Sequence, residues 1–129
     1  MFKSKGILRY VREPLLKVVL EVDPGIVVFY RSLMPKWIDF QPQKYPAHIS
    51  VVRKEQPPLM DKWGLYEGEE VEFFYENTVS SGQVYFWLNA FSKRLEEIRE
   101  SLGLELVTPF FQPTDLWKRR FHISLGNKK

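Results

Sequence analysis

The amino-acid sequence predicts a single α+β domain covering residues 1–129. Three observations carry this expectation. Apolar, β-branched runs with period-two alternation recur along the chain. Only two stretches combine helical spacing with capping residues. No fixed-period repeat, low-complexity tract or linker divides the chain, and 129 residues are enough to bury a core.

In order, residues 7–11 alternate apolar and polar and read as a first strand, broken by Glu13-Pro14. Residues 15–22, Leu-Leu-Lys-Val-Val-Leu-Glu-Val, are rich in β-branched side chains and read as a second. Asp23-Pro24 is a helix start, with aspartate at the N-cap and proline at the first helical position. That helix is expected over 24–34, with Ile26, Val27, Tyr30, Leu33 and Met34 on one face and Pro35 as its stop. Val27, Val28 and Phe29 also suit a strand.

Residues 37–45 contain Pro42 and read as a loop with an extended piece. Residues 47–53 follow as a strand opened by Pro46. Gln56-Pro57-Pro58 is a break, and 61–64 a short turn. Residues 70–76 and 83–91 form a β-hairpin around a polar, small-residue turn at 77–82. Residues 92–102 are the clearest helix: Ser92 at the N-cap, Leu95, Ile98, Arg99 and Leu102 in helical spacing, and Gly103 at C′. Glu96, with Arg99 or Glu100, is assigned to its wet face. A strand interrupted by Pro109 is expected over 104–111, a loop over 113–117 and a last strand over 120–125.

Composition narrows the chemistry. The chain has no cysteine, which excludes disulfides, thiolate nucleophiles and zinc–thiolate sites. No apolar run reaches the length that spans a bilayer, and the basic N-terminus is followed by Arg9, Arg12 and Glu13 rather than a signal-peptide core. The expected location is cytoplasmic, in the host's cytoplasm if the protein is viral, with no membrane and no obligate protein partner. The net charge of +3 favours anionic ligands without resembling a nucleic-acid-packing tail. Its distribution says more. Lys3, Lys5, Arg9 and Arg12 crowd the N-terminus, Arg53 and Lys54 follow one histidine, and Lys118, Arg119 and Arg120 precede the other.

Both histidines of the chain lie in the same tripeptide, His48-Ile49-Ser50 and His122-Ile123-Ser124, each inside an apolar run. Serine is eight of 129 residues, so finding one at i+2 from both by coincidence is a roughly 0.4% event. On a strand, i and i+2 share a face, so each motif presents an imidazole and a hydroxyl together while its isoleucine points to a core. A lone histidine in a strand is more often a packing residue; its duplication with the same neighbour is what core packing does not explain. Two histidines without cysteine or a neighbouring carboxylate make a poor metal site, so no metal or other cofactor is expected. No nucleophile elbow or phosphate-cradling glycine loop is present. An acid–base pair suits them better: one imidazole accepts a proton, the other donates one, and the hydroxyls bind non-bridging phosphate oxygens. Arg53 and Arg12 would bind the anionic substrate, and Tyr10, Tyr45 and Trp117 are candidates to stack on a base.

These two motifs, His48-Ile-Ser50-Val and His122-Ile-Ser124-Leu, some seventy residues apart, resemble those of the 2H phosphoesterase superfamily. That superfamily includes LigT-type RNA 2′,3′-cyclic phosphodiesterases and 2′-5′ oligoadenylate phosphodiesterases. The resemblance covers the two strands. Short length and the flank ending in Arg53 make the chain similar to compact members, including phage proteins that cleave cyclic oligonucleotide signals of bacterial immunity. The resemblance implies a bilobal α+β fold, two antiparallel sheets with flanking helices, and motifs facing each other across a central cleft. It implies His48 and His122 as the catalytic pair and Ser50 and Ser124 as phosphate ligands. The expectation is therefore a metal-independent hydrolase of a 2′,3′-cyclic phosphate, a 2′-5′ linkage or a cyclic oligonucleotide, acting on a nucleotide or RNA terminus. The alternative is a non-catalytic RNA- or nucleotide-binding module using the same basic cleft.

Overall fold

In a computed structural model the chain is described at residues 1–36, 40–42, 46–108 and 111–128, with backbone alone at 40–42 and 128. Eight strands and two helices follow in chain order: β1 (Phe2–Val11), β2 (Lys17–Glu21), α1 (Pro24–Ser32), β3 (Phe40–Pro42), β4 (His48–Val52), β5 (Glu70–Tyr75), β6 (Ser80–Ser81), β7 (Tyr85–Phe91), α2 (Lys93–Ser101) and β8 (Phe121–Lys128). Neighbours in the order β8-β4-β2-β1-β5-β7 are all antiparallel, and β7 pairs back onto β8. The result is a closed six-stranded barrel, with β3 and β6 attached to β8 and β7.

This overturns the bilobal architecture. Among the described residues there are not two sheets facing each other across a cleft but one sheet closed on itself. The physical reason lies in β1 and β8. The sequence suggests a strand only at 7–11, yet Phe2 to Ile7 pairs along the whole of β5. Gly6 permits this passage, because a Cβ there would collide with the backbone oxygen of Glu21. β8 then bonds to β4 on one side and β7 on the other, which removes the last open edges of the ring.

Alternation along the six ring strands sends Leu8, Leu20, Ile49, Phe73, Leu88 and Ile123 inward, all fully buried. The helices close the two ends. α1 leaves the end of β2, capped by the Asp23 carboxylate accepting the Gly25 N–H at 2.8 Å, and buries Ile26, Val27 and Tyr30. It ends two residues earlier than expected, and Leu33, assigned to its inner face, is exposed. α2 leaves the opposite end of β7, capped by Ser92, and packs on β4 and β5.

One assignment on α2 reverses and one alternative resolves. Glu96, placed on the wet face, is 3% exposed. Of Arg99 and Glu100, Glu100 is exposed, while Arg99, in spacing with Leu95, Ile98 and Leu102, is 1% exposed. Tertiary partners replace water. Arg99 makes a two-pronged ion pair with Glu55 at 2.7 and 2.8 Å and donates to the Val51 and Glu105 carbonyls. Glu96 accepts the backbone N–H groups of Lys118 and Arg119. Residues 104–108 carry no strand, and the remainder of that expected element lies partly outside the described residues.

Candidate active site

The two histidine motifs are hydrogen-bonded neighbours, with Ile49 directly opposite Ile123 in the β4–β8 pair. Continuing that antiparallel register sets His48 opposite Ser124 and Ser50 opposite His122. The motifs therefore do not face each other across a gap. They lie side by side on one outer face, related by a local two-fold, while both isoleucines point into the barrel.

The same register extends the face on both sides. On β2, Glu21 stands across from His48 and Val19 across from Ser50. On β1, Arg9 stands across from Val19. On β7, Trp87 pairs with Ser124 and Asn89 with His122. Asn89 is engaged elsewhere, accepting from the Trp87 indole at 2.8 Å and donating to Glu76 at 3.0 Å.

A cleft of about 490 Å³ opens on this face. It is lined by His48, Ser50, His122, Ser124, Arg53, Arg9, Lys17, Glu21 and Glu67, with Tyr10, Val11, Val19, Pro46 and Val52. The volume lies within the range of small-molecule sites. Glu67 arrives from the turn that follows Trp63, which is bonded to β1 through Gly68 N–H to Leu8 O. Its carboxylate accepts the Tyr10 backbone N–H at 2.8 Å and Arg9 at 3.0 Å, which together hold its pKa below the ordinary value. Arg9 also donates to Glu21 at 2.7 Å.

The two imidazoles are in different environments. The Nδ1 of His48 lies 2.7 Å from the Pro46 carbonyl oxygen. A carbonyl can only accept, so Nδ1 carries the proton and Nε2 is left for a ligand. His122 opens onto the cleft, but protein crowds its other sides. This loss of water, reinforced by Arg120, Arg53, His48 and Arg119, lowers its pKa below the usual 6.5 and keeps it neutral at pH 7.

Five of the nine sequence-assigned site residues converge here: His48, Ser50, His122, Ser124 and Arg53. Tyr10 borders the cleft, but its ring packs edge-on against Trp63 at 5.2 Å. Arg12 does not line the cleft; its guanidinium sits over Trp63. Trp117 packs against Phe91 and Phe74, away from the cleft. Tyr45 lies outside the described residues. Sequence reasoning missed Glu21, Glu67, Arg9 and Lys17. Strand alternation places Lys17, Val19 and Glu21 on one face, but which strand that face adjoins depends on the barrel.

Among the described residues no three His, Asp or Glu side chains are grouped so as to hold a metal ion. Comparison with protein-family models, with curated proteins and with solved structures finds no match for this chain.

Proposed function

We propose that the protein is a metal-independent phosphodiesterase that hydrolyses a nucleotide phosphodiester: a 2′,3′-cyclic phosphate, a 2′-5′ linkage or a cyclic oligonucleotide. The observation that carries this reading is the β4–β8 register, which sets two imidazoles and two hydroxyls on one face of a cation-lined cleft. The likeness of both motifs to those of the 2H phosphoesterases supports the chemistry; it does not extend to that superfamily's bilobal fold.

The two environments divide the labour. His122, neutral, takes the proton of the attacking water or hydroxyl as its oxygen bonds to phosphorus. His48 enters the step with a second proton, on Nε2, in addition to its Nδ1–H, and delivers that second proton to the leaving oxygen as the P–O bond breaks. Its Nδ1–H stays on Pro46, which fixes the ring. Ser50 and Ser124 donate to the non-bridging oxygens, and Arg53 and Lys17 offset the substrate's charge. Proton exchange with water restores both imidazoles.

The test is a product assay over 2′,3′-cyclic mononucleotides, 2′-5′ oligoadenylate and 3′,5′-linked cyclic dinucleotides, run with and without EDTA. Turnover that survives chelation and disappears in His48→Ala and in His122→Ala is the expected result. Turnover untouched by both substitutions would falsify the catalytic reading, and nucleotide affinity without turnover would make the cleft a binding module.

A further inference from the structure

We propose that Glu21 is a specificity-determining residue, held by Arg9 beside His48 to accept hydrogen bonds from the paired N–H donors of a guanine base. This rests on the nucleotide reading of the same cleft. Glu21 is the cross-strand partner of His48 and lines the cleft one strand further out, about 4.8 Å away.

It is not there to orient the histidine. The Pro46 carbonyl already holds Nδ1, and a carboxylate on Nε2 would occupy the nitrogen that the reaction needs. Nor does a carboxylate help to bind a phosphate, which it repels. What it offers a nucleotide is acceptor capacity. Arg9 bridges two carboxylates that are used differently. Both oxygens of Glu67 are engaged, one by Arg9 and one by the Tyr10 N–H. Glu21 receives Arg9 on Oε1, and its Oε2 has no hydrogen bond among the described residues. The ion pair fixes the carboxylate while leaving its second oxygen open.

An anchored carboxylate selects among bases by their donor pattern. Adenine and cytosine present an amino group beside a ring nitrogen whose lone pair opposes the carboxylate. Uracil presents one N–H between two carbonyls. Guanine alone presents two adjacent donors, N1–H and N2–H, which can bond one to the open Oε2 and the other to the second lone pair of Oε1, beside Arg9.

Isothermal titration calorimetry of the full chain with 3′-GMP, 3′-IMP, 3′-AMP and 3′-UMP tests this. The expected order is 3′-GMP tightest by about tenfold, with 3′-IMP between it and the others, since a hydrogen bond to a charged acceptor has that scale of effect. Glu21→Ala should weaken 3′-GMP to the level of 3′-UMP. Glu21→Gln, which keeps the shape but turns one oxygen into a donor, should do the same. Equal affinities in the native protein, or a guanine preference that survives both substitutions, overturns the assignment. If those results accompany histidine-dependent turnover, the phosphodiesterase reading stands and only Glu21 is misassigned. If none of the four nucleotides binds, the Glu21 assignment falls, and the product assay with its histidine variants separately decides the phosphodiesterase reading.

Discussion

Two walls of the same barrel treat their outward polar groups in opposite ways. On β1 and β5, Lys3 meets Glu72 and Lys5 meets Glu70, each at 3.4 Å, so outward cations face outward carboxylates. On β4 and β8 the equivalent positions hold His48, Ser50, His122 and Ser124. Among the described residues, the only hydrogen bond from any of these four side chains is that of His48 to Pro46. The first wall is complete without a ligand. The second leaves three polar side chains and one imidazole nitrogen open beside a cleft, where a ligand can satisfy them.

The comparison breaks most visibly at the histidines. His48→Ala and His122→Ala should each reduce kcat/KM by about 10²–10⁴-fold. Both side chains lie outside the barrel interior, so thermal unfolding should move little, within about 1 kcal/mol. A loss of rate matched by a loss of stability would return both residues to a structural role.

Arg99 should give the reverse pattern. It lies behind the active wall, bonded to Val51 at the end of β4 and to Glu55 beyond Arg53. Arg99→Met leaves the Glu55 carboxylate and two carbonyls without their donor. Glu55 keeps some contact with water, so the expected cost is about 2–3 kcal/mol in urea unfolding rather than the full value for a wholly buried pair.

Arg99 also marks the limit of what the sequence made legible. Local signals were sound: the Asp23-Pro24 and Ser92 caps, the β4 and β8 strands, and the shared face of each His-Ile-Ser motif all appear in the structure. Pairing was not legible. Nothing local to residues 2–6 announces that they continue β1 along β5, because Lys-Ser-Lys-Gly becomes a strand only once Glu70 and Glu72 lie opposite. Without β1 the ring cannot be closed, and the bilobal expectation went unopposed. Glu96 fails for the same reason, since charge predicts exposure until a distant backbone N–H is available. Arg99, although its spacing matches Leu95, Ile98 and Leu102, has a partner in Glu55 that no local signal announces. At the site, alternation found the four motif side chains. Glu21 became visible only when the β2–β4 register set it beside His48.

A smaller effect separates the walls by pH. His122 has a folded pKa below the ordinary 6.5, so the unfolded chain binds the extra proton first as pH falls. Its contribution to stability is present above about 6.5 and is lost as pH drops towards the folded pKa. Glu55, Glu67 and Glu69 have lowered pKa values, so the stability they contribute is fully present above about 4.5 and is lost only below it, as their carboxylates protonate. Denaturant unfolding at intervals between pH 7 and 5 should show a modest decline, and His122→Asn should flatten it. The catalytic limb should shift as well, with activity persisting below pH 6.5 because the base stays neutral there.

The smallest expected change is on the paired wall, and it is the most exacting control. Lys3→Ala and Lys5→Ala remove ion pairs whose side chains are more than half exposed. Water and salt already screen such pairs, so stability should change by no more than about 0.5 kcal/mol and kcat/KM should stay within about twofold. Both lysines carry the same sign as Arg53 and Lys17, so they separate local contact from general attraction. If removing a remote lysine weakened substrate capture as much as removing Arg53, the overall positive field of the chain would account for binding. If only Arg53→Ala and Lys17→Ala raise KM, the effect belongs to the cleft, and the polar groups left open on β4 and β8 are what distinguish that wall.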